Sequence, residues 1–403
     1  MDDELKKILL ISQNFYPEIG SAANRMKQLF RLFSKAYDTT LYTTEPQYPN
    51  RAIYEQEKFW DGDLDSEKIV RVKTRTSQYE ANMLFRFLLY LETVCRFILK
   101  IVRTKESFDV VYVSSPPISI ALAGLIAKRK LKTKLIVDIR DLWPESLKGV
   151  GKFNSRFFLY MAYRFEKHIY KKADQIIVNS ERFKTYITDQ GIDPDKITFV
   201  PNALTKEELA LGSKKRPIIN EPITVIYTGN IGLAQELASF IRMAAYFQDN
   251  PNVCFKMIGY GTNYQKLINS VKEKALANIH VNPPDTRGNV LTKLAQADVA
   301  FVSLVPHPVF ETVIPGKIVD YMGIGLPIIG MVSGYSKAII DQSNTGFIYG
   351  HDEEKAMYRG LTHLAENHEL RAQLRQNGQN YAKANYNWQE NFKRIEKIIA
   401  GFE

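Results

Sequence analysis

Four short runs in the first half of the chain, Lys7 to Ser12, Val110 to Ser114, Lys134 to Asp138 and Gln175 to Asn179, have apolar cores rich in β-branched residues and polar residues at their ends. A strand with one wet face alternates apolar and polar positions. A continuous apolar run has both faces covered, which is the condition of a strand inside a parallel sheet. Helical stretches such as Ala22 to Lys35 and Ile118 to Arg129 lie between the runs. This alternation restricts the chain to an α/β fold, because parallel strands need crossovers and helices supply them. The pattern pauses after Val200-Pro201-Asn202-Ala203 and restarts at Ile223 to Thr228, Val253 to Ile258, Val299 to Ser303 and Pro327 to Met331. The pause, Thr205 to Glu221, is polar and carries Gly212 and Pro217, so it reads as a linker. Two α/β domains are predicted, residues 1–203 and 222–380, with 204–221 as the linker and 381–403 as a C-terminal helix. In that helix Trp388, Phe392, Ile395 and Ile399 have the spacing of a docked face.

With 45% hydrophobic and 12% aromatic residues among 403, the chain has ample material for two cores and is not a disordered one. Two cysteines, Cys95 and Cys254, are too few for a disulfide framework, and the six histidines share no metal-ligand spacing. No uncharged apolar run is long enough to span a bilayer, and Ile8 to Ile11 is too short for a signal core. A cytoplasmic or peripheral protein is expected. The net charge of +10 is concentrated in residues 1–203, which hold 33 basic and 25 acidic side chains. That half is predicted to face an anionic partner: nucleic acid, a membrane or a phosphorylated substrate.

Chemistry is sought at the strand ends. Phe15 to Ser21, containing Gly20, follows the first strand, and Gly229-Asn230-Ile231-Gly232 follows the first strand of the second half. Such turns can present backbone N–H groups and a helix N-terminus to phosphate. Neither is a Walker loop, and Gly259-Tyr260-Gly261 lacks the third glycine of a dinucleotide fingerprint. The competing structural reading is a tight turn with no ligand. Lys317, in Pro315-Gly316-Lys317 at a helix start, is placed to pair with a phosphate. Asp320, three residues on, can hold ribose hydroxyls, or form a surface ion pair with Lys317.

Four motifs in order carry a family resemblance. Phe310-Glu311 through Pro315-Gly316-Lys317-Ile318-Val319-Asp320-Tyr321 to Pro327 resembles the donor motif of glycosyltransferase family 4. Arg140-Asp141-Leu142-Trp143-Pro144-Glu145-Ser146, Val200-Pro201-Asn202-Ala203 and Tyr227-Thr228-Gly229-Asn230 through Gln235 are similar to further motifs of a subgroup that includes N-acetylfucosaminyl transferases. The resemblance implies the GT-B fold, two Rossmann-like domains facing across a cleft, with 381–403 crossing back to the first. It implies a retaining transfer without metal or other cofactor, acceptor on the first domain and UDP-sugar on the second. Gly20, Gly229, Asn230, Gly259, Gly261, Lys317 and Asp320 are then the expected nucleotide-sugar residues, and Arg140, Asp141 and Glu311 the expected catalytic ones. Glu311 stands one place from the family's first carboxylate, since position 312 is Thr. Arg140-Asp141 replaces the family's usual His-Asp pair. His307 is a further candidate for the sugar pocket. The competing reading of Asp138, Arg140, Asp141 and Glu145 is a structural ion-pair network.

Met83 to Lys105 bears on the acceptor. On a helix, Arg86, Glu92, Thr93, Arg96, Lys100 and Arg103 fall within about 120° and the remaining surface is nearly all apolar. Such a helix is either a core helix or one lying in a membrane interface. With Lys128, Arg129, Lys130, Lys132 and Lys134 it favours an acceptor presented at an anionic membrane, such as a polyprenyl-diphosphate-linked saccharide of capsule, O-antigen or exopolysaccharide synthesis. The protein is therefore expected at the inner face of the cell membrane, without nucleic acid as a partner. The rivals are a UDP-N-acetylhexosamine 2-epimerase of the same fold, which needs more acid/base residues than are evident, and a basic nucleic-acid-binding or scaffold protein.

Overall fold

The computed structural model describes residues 5–60, 62, 64, 67–75, 83–149, 155–212 and 222–402. The chain forms two compact units, residues 1–201 with 390–403, and residues 202–389. Each is a parallel sheet with helical crossovers.

In the first unit the strands are β1 (Lys7–Ile11), β2 (Asp38–Thr44), β3 (Ile69–Val72), β4 (Val110–Ser115), β5 (Lys134–Ile139), β6 (Gln175–Val178) and β7 (Ile197–Phe199). They pair all-parallel in the order β3-β2-β1-β4-β5-β6-β7. The direction of winding reverses between β1 and β4, where an open α/β sheet leaves a crevice at the strands' carboxyl ends. The helices are α1 (Ser21–Ala36), α2 (Met83–Arg103), α3 (Ser119–Leu131), α4 (Glu145–Gly149), α5 (Arg156–Lys172) and α6 (Glu181–Asp189). Right-handed crossovers put α2, α3 and α5 on one face of the sheet and α1 on the other.

The second unit opens with α7 (Lys206–Gly212) and continues through β8 (Ile223–Asn230), α8 (Ala238–Tyr246), β9 (Val253–Tyr260), α9 (Tyr264–Glu273), β10 (Ile279–Asn282), α10 (Arg287–Ala295) and β11 (Val299–Ser303). It closes with α11 (Gly316–Ile324), β12 (Ile328–Met331), α12 (Gly334–Ser343), β13 (Gly346–Ile348), α13 (Glu354–Glu366) and α14 (His368–Asn385). The sheet order is β10-β9-β8-β11-β12-β13, again all-parallel, and α15 (Trp388–Ala400) follows. Both domains are therefore Rossmann-like.

The structure departs from the sequence reading in three places. The segment read as a linker contains α7, held by Glu208 accepting from Thr205 N at 2.9 Å and by Gln379 reaching Gly212 O. Residues 213–221 of that segment lie outside the described residues. The turn at Gly229 does not lead directly into a helix, because β8 runs on to Asn230 and α8 begins only at Ala238. Finally, α2 is neither wholly core nor wholly exposed. Leu89, Thr93, Phe97 and Ile101 are buried, Thr93 being a polar residue the arc had placed on the wet side, while Leu88, Leu91, Leu99 and Val102 are exposed. The side chain of Arg86 lies outside the described residues.

The C-terminal helix is shorter than the expected 381–403, since residues up to Asn385 end α14 and α15 starts at Trp388; from Glu390 onward it belongs to the first unit. Trp388, Phe392, Ile395 and Ile399 are all buried, and Phe392 meets Phe33 of α1 edge-to-face at 5.1 Å. Asn391 donates to Pro201 O at 2.9 Å and Arg394 to Phe199 O at 3.0 Å.

Candidate functional site

The second unit assembles a cation beneath two strand ends. β8 and β9 pair through Gly229 with Gly259 and Asn230 with Tyr260, so Gly229, Gly259 and Gly261 lie at one carboxyl edge. A Cβ on Gly259 would stand 2.3 Å from Gly229 O, and one on Gly261 would stand 2.5 Å from Asn230 Oδ1. These two glycines are required by backbone packing, whatever the ligand. Gly229 differs. Its φ of +108° favours glycine, and its open Cβ direction points to Lys317, whose Cε and Nζ are 3.6 Å away. The remaining N–H groups of this turn are engaged: Ile231 N donates to Tyr260 O, and Gly232 N to Gln235 Oε1 at 3.1 Å. Asn230 thus serves the turn, its side chain wedged between Gly232 and Gly261.

Lys317 stands in the first turn of α11. Pro315 is the cap, no side chain caps the helix, and its first turn has no acidic residue. The Lys317 ammonium lies 3.7 Å from the centre of the Tyr227 ring and has no hydrogen-bond partner among the described residues. Burial pushes its pKa down to about 7, with Asp320 opposing weakly. A buried cation with no acceptor costs free energy that an anion at the same spot returns. Tyr321 holds α11 in place, accepting from Thr228 N at 3.0 Å.

Asp320 does not pair with Lys317. Both of its oxygens accept from Arg287, at 2.9 and 3.2 Å, and Arg287 Nε donates to Glu208 at 2.5 Å. Glu208 lies in the supposed linker, and its pKa is lowered by Arg287 despite burial. This bridge went unseen in the sequence because its members are 79 and 33 residues from Arg287 and belong to no motif. Glu311 lies elsewhere. It is exposed in the short turn Pro308–Thr312, its carboxylate accepting from Ser333 Oγ at 3.4 Å and its backbone lying against Gly334. His307 is used as the cap of that turn, Nδ1 accepting from Val309 N at 3.3 Å.

In the first unit, Gly20 is the cap of α1, with φ +123°, no capping side chain and no acidic residue in the following turn. Asp138, near the end of β5, is fully buried and acts by its charge on Arg140. It forms a fork with Arg25, Nε to Oδ2 at 2.8 Å and Nη2 to Oδ1 at 2.9 Å, both side chains fully buried. Arg25 also donates to Val200 O and Pro201 O, tying α1 and β5 to the end of the unit. Arg140 Nε donates to Ser114 Oγ at 2.9 Å, and burial pushes its pKa down to about 10. Asp141 is pushed up to about 6 by burial, against hydrogen bonds from Ser146 and Leu142 N and the charge of Arg140. Glu145 belongs to Lys148 and Tyr163. Asp138, Arg140 and Asp141 thus act on one another through their charges while their hydrogen bonds go to different partners.

Comparison with known proteins agrees with this architecture. Residues 20–203 match the glycosyl transferase 4-like domain and residues 212–381 the glycosyl transferases group 1 domain. An uncharacterized glycosyltransferase of Methanocaldococcus jannaschii is 23% identical over 309 residues, 73% of this chain and 76% of that one. A putative colanic acid biosynthesis glycosyl transferase of Escherichia coli is 20% identical over 336 residues, 79% of this chain and 81% of that one. The structure of HepE of Anabaena in complex with UDP-glucose superposes with a TM-score of 0.70 at 14% identity, covering 98% of this chain and 99% of that one. With a 4-like domain followed by a group 1 domain, each on its own parallel Rossmann-like sheet, the chain is a glycosyltransferase with the GT-B fold.

Proposed function

We propose that this glycosyltransferase moves a sugar from a UDP-sugar to a polyprenyl-diphosphate-linked saccharide, with retention of configuration and without a metal. The pathway is capsule, O-antigen or exopolysaccharide synthesis, and the sugar is N-acetylfucosamine or another N-acetylhexosamine. The observation that carries the donor half is the unpartnered Lys317 ammonium at the uncapped start of α11, beside Gly229. As UDP departs, charge grows on its diphosphate. A fixed cation and helix N–H donors at that point stabilise the transition state more than the ground state. Asp320, steadied by Arg287, offers remaining lone pairs to the ribose hydroxyls. HepE, whose fold this chain shares, is a UDP-glucose-binding relative in structure, which supports uridine as the nucleotide.

The leaving phosphate oxygen takes the acceptor proton, so the protein needs no general base. Arg140 and Asp141, at the carboxyl end of β5, orient the reacting sugar, and Glu311 contacts the donor sugar. The work is done at the cytoplasmic face of the membrane, where α2 exposes apolar residues. A thermal-shift screen of UDP, GDP and ADP tests the donor assignment. UDP alone raises Tm, by mass action on the native state, and loses that effect in Lys317→Ala. Equal responses to all three, or an unchanged UDP response in the variant, would refute it.

A further inference from the structure

Lys317 has a carboxylate within reach on its own helix and does not use it. Asp320 stands three residues on in α11, the separation at which two side chains of one helix meet. Among the described residues it is also the one carboxylate whose charge acts on the ammonium. The ion pair that this spacing allows is not made, because Asp320 is taken by Arg287 at the start of α10. Its Oδ1 accepts from Nη2 at 2.9 Å and its Oδ2 from Nη1 at 3.2 Å.

Arg287 is itself aimed. Its Nε donates to Glu208 Oε1 at 2.5 Å, and Glu208 Oε2 accepts from Thr205 N at 2.9 Å beside the start of α7. A guanidinium is planar, so fixing its Nε edge fixes the direction of both Nη groups. Glu208 and Asp320 supply two negative charges, and Arg287 and Lys317 two positive ones. Arg287 takes both carboxylates and leaves Lys317 neither. The other groups around α11 do not replace them. Tyr227 of β8 turns its ring face to the ammonium while its hydroxyl donates to Asn230 O, Tyr321 accepts from Thr228 N, and Arg375 of α14 stands by Gly325 at the opposite end of the helix.

From this geometry we infer that Arg287, aimed by Glu208, is a positioning residue for the donor: it holds Asp320 off Lys317, so that the cation stays open to a diphosphate and the carboxylate to ribose hydroxyls. Without Arg287 the pair within α11 closes. A diphosphate must then displace a carboxylate before it reaches the ammonium. Through Glu208, α7 acts on the donor site without touching the donor. The inference deepens the donor reading of this site and rests on it.

Carbon-13 NMR of the full chain labelled at the lysine ε-carbons tests it, the Lys317 signal being identified by its loss in Lys317→Met. In the wild type that signal titrates at about 7. In Arg287→Met it titrates at about 8 to 10, because an adjacent opposite charge raises an amine pKa by about 1–3. Glu208→Gln/Arg287→Met gives the same rise and strains the fold less, since it strands one carboxylate fewer. Adding Asp320→Asn to either variant returns the signal to about 7, which loosened packing alone would not do. At pH 6, where Lys317 is charged in every variant, UDP binds Arg287→Met at least about tenfold more weakly than the wild type, the cost of opening the new pair. A wild-type signal that ignores excess UDP sinks the donor reading and the inference with it. A signal that answers UDP yet titrates at about 7 in both Arg287 variants, or stays high after Asp320→Asn, overturns the inference alone.

Discussion

Titrating UDP into the protein at pH 6 and at pH 8 reads the charge on Lys317. Burial sets the pKa of the unliganded ammonium at about 7, so about nine in ten molecules carry the charge at pH 6 and about one in ten at pH 8. A diphosphate seated on Lys317 favours the charged form and raises that pKa. Binding at pH 8 then takes up about 0.9 proton per UDP through Lys317, whereas at pH 6 that uptake falls to about 0.1 and proton release from the partly protonated UDP phosphate offsets it. Calorimetry in two phosphate-free buffers of different ionisation enthalpy yields the proton count. The terminal phosphate of UDP is fully ionised at pH 8 and adds little to it. Stability carries the same signature with a definite sign. The folded pKa is depressed below 10.5, so the unfolded chain binds the extra proton between about pH 7 and 10.5 and the unliganded protein gains stability as pH rises through that window. Lys317→Met removes both effects. Uptake below about 0.2 proton at pH 8, or the same uptake in Lys317→Met, would refute the argument.

Three further outcomes are expected. Arg287→Ala leaves Glu208 and Asp320 without their shared cation and costs about 2–4 kcal/mol in denaturant unfolding, toward the low side for buried pairs because both carboxylates keep some water; a loss under 0.5 kcal/mol refutes the bridge. Gly259→Ala drives a Cβ into Gly229 O and abolishes the UDP response, whereas Gly229→Ala has room and costs only about 1–2 kcal/mol through its positive φ. On α2, Phe97→Ala costs about 3–5 kcal/mol and Leu91→Ala less than about 0.5, since Phe97 is fully buried and Leu91 is 51% exposed. Equal costs would mean that α2 is packed differently.

The parallel sheets were legible wherever a strand has a continuous apolar core, as in β1, β4, β5 and β11. They were not legible in β2, whose Asp-Thr-Thr-Leu-Tyr-Thr-Thr reads as polar. There Thr43 and Thr44 are buried because their hydroxyls donate to Gln13 O, at 3.4 and 3.0 Å. The edge strands β3, β7, β10 and β13 are three or four residues long and too short to show a period.

At the site, the residue types and their order sufficed to single out Lys317, because Pro-Gly-Lys opening a helix is a local pattern with a local consequence. The state of that lysine was not local. Only packing put Tyr227 under the ammonium and left it without an acceptor, and only packing gave Asp320 to Arg287 rather than to the neighbour three residues away. The same holds for α2. Its composition allowed both a core and an interface, and the fold buries one side and leaves the other exposed, since burial depends on which side meets the sheet. Hydrophobic periodicity is written along the chain and determines the α/β architecture. Desolvation and charge pairing arise between segments far apart in sequence, so the tertiary structure alone decides them.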